Sequence, residues 1–444
     1  MGAAAGEPHT TNITRDARGS RISGANARAL DHFERALAGW QSWTGDPRLE
    51  VKRALENAPE FVMAHIFEAQ LHLCSRDPAD VAVARAALGR ARFLPQNGRE
   101  RMHLAAIATE LQGEIERSRE LLAAVLAGYP RDAIALTAAH TLDHLLGDSA
   151  SMRDRVSVVL PHWSPDDVGY HALLAQLAFG QEECGDYDRA RDTALHALAL
   201  NPRDIRAHHA YCHVLEMQAR PDEGLRWMGR RAACWTGEGA SSTHVWWHLA
   251  LYHLQLGAPH HALALYDRRI AAARSPTLSE LIDAAALLWR LELSGTDPGT
   301  RWQPLAMRWE RHAEDAFCAF NDLHAMLAFV GARRDDCAQR LLRAQFDRLA
   351  RGGSNRDMIR EVGLPACHAL AAFGAGDYAR ASALLRSLPE VSHRLGGSHA
   401  QRGLIGLTLK AALERVSGQR RAARPPVPRL PNASAARQVP IHVT

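Results

Sequence analysis

Lysine is nearly absent from this 444-residue chain: Lys52 and Lys410 are the only two, and the rest of the positive charge is arginine. Aromatic residues make up only 6%. With β-branched runs also scarce, the composition favours helices packed through Ala and Leu over a sheet. No run of 18 consecutive apolar residues occurs, so no membrane-spanning helix is expected. The opening Met1-Gly2-Ala3-Ala4-Ala5-Gly6-Glu7-Pro8 has neither the basic nor the apolar region of a signal peptide. Seven scattered cysteines include no Cys-x-x-Cys pair. That set fits free thiols in a reducing cytoplasm, where the protein is expected to reside. A phosphate-binding G-x-x-x-x-G-K-[ST] loop, a G-x-G-x-x-G turn after a strand and a G-x-S-x-G elbow are all missing, which removes three large enzyme classes. The net charge of +4 comes without a dense basic stripe. Nucleic acid is therefore not an expected partner, and neither is a membrane.

What the chain does have is a period. Gly113, Gly185 and Gly257 punctuate Leu111-Gln112-Gly113-Glu114-Ile115, Cys184-Gly185-Asp186-Tyr187 and Leu256-Gly257-Ala258-Pro259 at steps of 72 residues, and weaker copies fall between them at Gly147 and Ala219. Spacings of 34 and 38 residues are the mark of stacked helical hairpins. Residues 171–202 show the unit: with Pro202 set at repeat position 32, Ala178, Ala190 and Ala197 fall at the small positions 8, 20 and 27. Small residues there let two helices approach closely. The pattern resembles the tetratricopeptide repeat. The expected fold is all-α, a tetratricopeptide-like helical-hairpin superhelix (an α-solenoid), formed by a single domain over residues 23–416. Residues 1–22 are expected to be a disordered polar tail, and residues 417–444 a disordered Pro/Arg-rich one. Residues from about 275 to 365 read as helical but off the period.

Histidine is concentrated: eight of the 24 lie between His208 and His261. His209, His213 and Glu216 stand at i, i+4, i+7, one face of a helix, and His244 and His248 form a second i, i+4 pair beside Trp246-Trp247. On the repeat ruler these positions, with Glu183, point into the concave groove. His209, His213, His244 and His248 could ligate a divalent metal, with an open coordination position supporting hydrolysis or lyase chemistry. Without a metal, His213, Glu216 and His248 could act as general acid and base. The bland alternative is that these groups satisfy one another, or contact a peptide. Two further segments draw attention. Phe320-Asn321-Asp322-Leu323-His324 could cap a helix through Asn321 or Asp322, or complete the site through Asp322 and His324. In Arg394 to Arg402, Gly396-Gly397 before a helix start could present backbone N–H groups to an anion. Trp40, Trp43, Trp302 and Trp309 have helical spacing within each pair and are expected in the core.

An ordered set of motifs carries a family resemblance. Phe61-Val62-Met63-Ala64-His65, Met152-Arg153-Asp154, Pro161-His162-Trp163-Ser164-Pro165, Asn201-Pro202-Arg203-Asp204, His213-Val214-Leu215-Glu216-Met217, His244-Val245-Trp246-Trp247-His248, Phe320-Asn321-Asp322-Leu323-His324, Val362-Gly363-Leu364-Pro365 and Leu395-Gly396-Gly397-Ser398-His399-Ala400-Gln401-Arg402 follow one another along the chain. Over roughly residues 30–415 it resembles bacterial members of the tetratricopeptide repeat protein 38 family. The resemblance implies helical repeats and no particular reaction. Its pattern covers His140, Glu183, His209, His213, Glu216, His244, Trp247, His248, Asn321, Asp322, His324, Gln401 and Arg402. His399 departs from it, standing where an Asn is expected. So many inward polar residues imply a ligand site. The leading expectation is a small polar molecule or a peptide held by Glu183, His209, His244, Trp247, Asp322, His324 and Arg402. An enzyme using the same cluster and a pure scaffold for a protein partner are the alternatives.

Overall fold

The computed structural model describes residues 14–237, 240–271 and 277–422, and it is all helix apart from turns and one isolated bridge, Arg15 to Arg21. The helices pack in neighbouring antiparallel pairs. Ten hairpins run along the described chain, each closing on a residue with left-handed backbone: Trp43, Arg76, Gly113, Gly147, Gly185, Ala219, Gly257, Gly295, Arg333 and Gly376. Five of these are the expected ruler marks. Ala219 adopts φ 54° without being a glycine. The following helix often begins with proline in its first turn, as at Pro47, Pro78, Pro221 and Pro259. There its fixed φ suits the helix and its missing N–H costs nothing. Side-chain caps from Asp46, Asp77, Asp132, Asp148 and Asp204 take up orphan N–H groups.

The stretch expected to fall off the period keeps it. Gly257, Gly295 and Arg333 are spaced by 38 residues, and the hairpins Leu278–Leu293/Trp302–Trp309 and Ala319–Gly331/Asp335–Arg348 turn at the last two. An arginine in the left-handed region hid the second mark. A longer excursion, Ser354–Met358 and Ile359–Gly363, then delays the next turn to Gly376. Within the unit read from residues 171–202, Ala178, Ala190 and Ala197 are fully buried between their helices.

Both tail boundaries need correction. Residues 14–22 are folded: Ile22 is buried in the first core, and Asp16 pairs with Arg99 at 3.2 Å with both side chains buried. A polar sequence can be ordered when its charges find buried partners. At the other end, helix His399–Ala422 continues six residues past 416. Residues 1–13 and 423–444, which hold the rest of both expected tails, lie outside the described residues. No helix of the described residues is long and apolar enough to cross a membrane.

Distant hairpins touch across the middle of the molecule. Arg206 Nε donates to the carbonyl of Gln41 (3.1 Å), and Asn321 Nδ2 donates to the carbonyl of Arg76 (3.1 Å). Ser354 N donates to the Gly113 carbonyl (3.0 Å). At Gly147 the approach is closest: a Cβ there would sit 1.7 Å from the carbonyl oxygen of His393. Only glycine tolerates both that contact and φ 68°. The final helix enters this interior, and Trp289 Nε1 donates to Thr408 on it at 2.9 Å. The inner faces of the hairpins therefore meet other parts of the chain instead of lining an open trough.

Candidate functional site

Three consecutive hairpins build the site with the first helices of each pair: Tyr170–Glu183, Ile205–Met217 and Ala240–Gln255. Helix Leu278–Leu293 adds a carboxylate. The i, i+4 spacing places His209 over His213 on the second helix and His244 over His248 on the third. One ligating atom from each of the four lies within 4.8 Å of the others. His209 Nε2 is 3.0 Å from His213 Nε2 and 3.1 Å from His244 Nε2. His213 and His248 have no solvent exposure, and His209 is 4% exposed.

Carboxylates lock two of the rings. Asp283 accepts from His244 Nδ1 at 2.9 and 3.0 Å, and Glu216 lies 2.9 Å from His248 Nδ1. Each bond spends the Nδ1 position and turns Nε2 toward the common centre. Carboxylates holding the far nitrogen of an imidazole in this way are the usual outer shell of histidine metal sites.

The hydrogen-bond count at the centre does not close with protein atoms alone. A ring nitrogen offers one lone pair or one N–H, and so makes one good hydrogen bond. His209 Nε2 has two imidazole neighbours at bonding distance and can satisfy only one of them. His248 Nε2 is buried beside them with no hydrogen-bond partner among the described residues. A cation at the centre would accept all four lone pairs. Imidazole bound tetrahedrally to zinc at about 2.0–2.1 Å puts ligand nitrogens about 3.3 Å apart, close to the 3.0 and 3.1 Å seen here.

Protonation is matched to that role. Burial, and then the neighbouring imidazoles, hold His209, His213 and His248 well below the ordinary imidazole range. They are neutral, which is the ligating form. His244 is the exception: burial pulls it down, but Asp283 outweighs this and holds it above its usual value. Burial pushes Glu216 up to about 7, against the pull of Arg290 and His244.

The other expected site residues divide. Trp247 is a wall of the cluster, fully buried, its indole stacked on His244 at 5.3 Å and 12°. Glu183 and Arg402 come to the centre of the molecule but are used up on each other. Arg402 Nη2 donates to Glu183 Oε2 at 3.0 Å, and the backbone N–H of His399 donates to Oε1 at 2.8 Å. The anion expected at the Gly396-Gly397 helix start is thus the protein's own Glu183. Asp322 is not with the cluster: it is buried against Gln345 at 3.1 Å, and burial lifts it to about 7. His324 bonds the carbonyl of Phe320 at 2.8 Å and stands apart from the four-histidine group. Neither Asn321 nor Asp322 is an N-cap, because the helix already begins at Ala319, whose N–H is taken by Asn355 Oδ1 at 2.9 Å.

Sequence reasoning missed Glu182, Asp283, Arg206, Trp43 and Phe179. Glu182 had a signal: like Glu216, it stands three residues before its hairpin's left-handed turn residue. Glu182 faces His213 at 3.7 Å from Nδ1, and Glu183 also brings an oxygen within 4.8 Å of that ring. Burial, and then Glu183 and Glu216, raise Glu182 well above the usual carboxylate range. Trp302 and Trp309 are core as expected, but Trp40 and Trp43 line a cavity.

That cavity, about 390 Å³ and half-enclosed, lies against the cluster. His209 and His244 reach it, while His213 and His248 are sealed behind them. A bound ion would stand at the cavity wall.

No protein-family model matches the chain.

Buried neutral histidines away from the four make stability depend on pH. Burial, the largest cause in both, lowers His140 to about 3 and His324 to about 4. In the unfolded chain each titrates near 6.5. Between pH 6.5 and about 4 the unfolded chain therefore binds more protons, so stability is full above 6.5 and is lost as the pH falls. Each group contributes about 1.4 kcal/mol per pH unit, about 3 kcal/mol per unit for the pair. Urea unfolding at pH 7 and pH 5.5 measures this. Equal midpoints at the two values contradict it.

Proposed function

We propose that this chain is a metal-dependent protein acting on a small molecule. His209, His213, His244 and His248 hold one divalent transition-metal ion, and the cavity beside them holds the substrate. The observation that carries this is the set of four converging imidazoles whose central hydrogen bonds cannot all be made, with two of their far nitrogens fixed by Asp283 and Glu216. Neutral nitrogen ligands suit zinc, iron, nickel or copper. The buried acids Glu182, Glu216 and Asp283 offset the ion's charge.

With four imidazoles on it, such an ion would have to take a fifth ligand from the cavity side to polarise a substrate oxygen, the basis of hydrolase and lyase chemistry. The protein's own groups orient the ligands and keep water from all but the cavity side. Metal-free acid–base catalysis by His248 and Glu216 fits less well, because His248 is sealed from the cavity. A peptide fits less well than a small molecule, because the inner faces are closed over by other segments.

The tetratricopeptide-like superhelix, membership of the tetratricopeptide repeat protein 38 family and a cytoplasmic setting belong to the same proposal. The ten successive hairpins, the ordered motifs and the seven free cysteines support them in turn.

Elemental analysis of untagged protein purified without chelator tests the central claim. About one transition-metal ion per chain is expected. Protein that carries none, and takes up none from zinc, iron(II), nickel, cobalt or copper solutions, overturns it.

A further inference from the structure

Arg206 is a buried cation with no ion-pair partner among the described residues. It is 7% exposed and lines the cavity. Its Nε and Nη2 donate to the carbonyls of Gln41 (3.1 Å) and Trp40 (3.4 Å), and its guanidinium lies over the Trp43 indole at 4.7 Å. No carboxylate of the described residues is within ion-pair distance. Three of the other four buried arginines are treated differently. Arg18 pairs with Glu34, Arg99 with Asp16 and Asp132, and Arg402 with Glu183. Arg290, like Arg206, makes no ion pair among the described residues and donates to carbonyls, but it lies in the field of two acids, Glu216 and Asp283, where Arg206 has mainly that of Asp204. Asp204, the acid next to Arg206, is committed to His171 at 2.7 Å and to capping its own helix.

Leaving a buried charge uncompensated is costly, and proteins avoid it unless something arrives to meet it. The rest of the cavity says what else the arriving molecule must have. Trp40, Trp43, Phe179, Ile282 and Phe320 give it apolar walls. Trp43 connects the two ends of the site, since the ring under Arg206 also lies 4.9 Å from His209.

We propose that the cavity binds small organic acids, with the carboxylate on Arg206, the apolar body against the indoles, and the other end of the molecule toward His209 and His244. The inference deepens the functional proposal by naming its substrate class, but the anchor is a protein side chain and does not need the ion. A planar guanidinium matches a carboxylate with two parallel hydrogen bonds, which an amide of the same shape cannot reproduce.

The test uses the full chain with benzoate, phenylacetate and octanoate, each against its uncharged amide, by calorimetry and thermal shift. At least one acid is expected to bind and raise the melting temperature while its amide does not. Arg206→Gln is expected to weaken that acid about 10- to 100-fold. Acids and amides that behave alike in the unaltered protein overturn the proposal, and this comparison needs no variant to fold. So does an Arg206→Gln protein that folds and binds the acid as before, or a panel in which no acid binds. Repeating the titration on metal-depleted protein separates the two claims. Binding that persists there supports Arg206 as anchor whatever the fate of the metal site. Binding that vanishes with the metal assigns the anchor to the ion and overturns the role of Arg206.

Discussion

Arg402→Ala lowers the free energy of unfolding by about 3–5 kcal/mol, the cost of stranding a buried carboxylate. The stranded group is Glu183, whose side chain is 1% exposed against 6% for Arg402. Three interactions are lost or weakened together. The ion pair to Glu183 goes, as does the hydrogen bond from Arg402 to the Gly397 carbonyl, and the helix start at His399 is left to hold Glu183 alone. Guanidinium or urea unfolding measures the effect, and the paired change Glu183→Gln with Arg402→Met should recover part of it, because removing both charges is far cheaper than removing one. Were Arg402 a ligand-binding residue, as the sequence alone suggests, the substitution would cost affinity and leave the unfolding midpoint in place. An unchanged midpoint is therefore the result that contradicts the structural role.

On the proposed metal site, His213→Ala is expected to abolish high-affinity metal binding and, in metal-containing buffer, to remove the stabilisation the ion would give. That amount is set by mass action, about 4 kcal/mol when the free ion stands at 1,000 times its dissociation constant. The sign should change in metal-free buffer. There His213 is one of two imidazoles crowding His209 Nε2, and the centre is short of hydrogen bonds. Its loss creates a small cavity but relieves that conflict, so the variant should lose much less stability there. Calorimetric melting of both proteins, with and without added zinc, gives the four values needed. A variant equally destabilised in both buffers identifies His213 as a plain core residue.

The path from sequence to this site is uneven, for physical reasons. Periodicity within a helix is local information, so the pairing of His209 with His213 and of His244 with His248 is legible from spacing alone. Bringing the two pairs together needs only the repeat ruler, because neighbouring hairpins stack in register. Glu216 reaching His248 follows from the same register. The ruler's precision sets its limit: a one-residue error moves a side chain about 100° around a helix, which is why Glu183 drew attention while Glu182, in ion-pair range of His213, was missed. Arg333 shows another limit. A turn written in arginine carries no punctuation, so the stretch from about 275 to 365 looked irregular. Asp283 was hidden with that stretch, whereas Trp43 and the role of Arg206 were invisible for a different reason. Trp43 comes from the first hairpin and meets His209 only because the chain folds back across its own interior, and no repeat predicts that. The same closure turned an expected trough into a buried centre with a cavity beside it.

The bond between Glu183 and the head of the last helix spans 216 residues. Stacks of hairpins ordinarily gain their stability step by step, each unit resting on the one before. Here the middle of the stack waits for its end. Hairpins near the N-terminus can form as they leave the ribosome, but the compartment around the imidazoles stays unsealed until translation passes residue 402. The final helix acts as a keystone, and losing it would expose the centre of the molecule to water, not merely trim one edge.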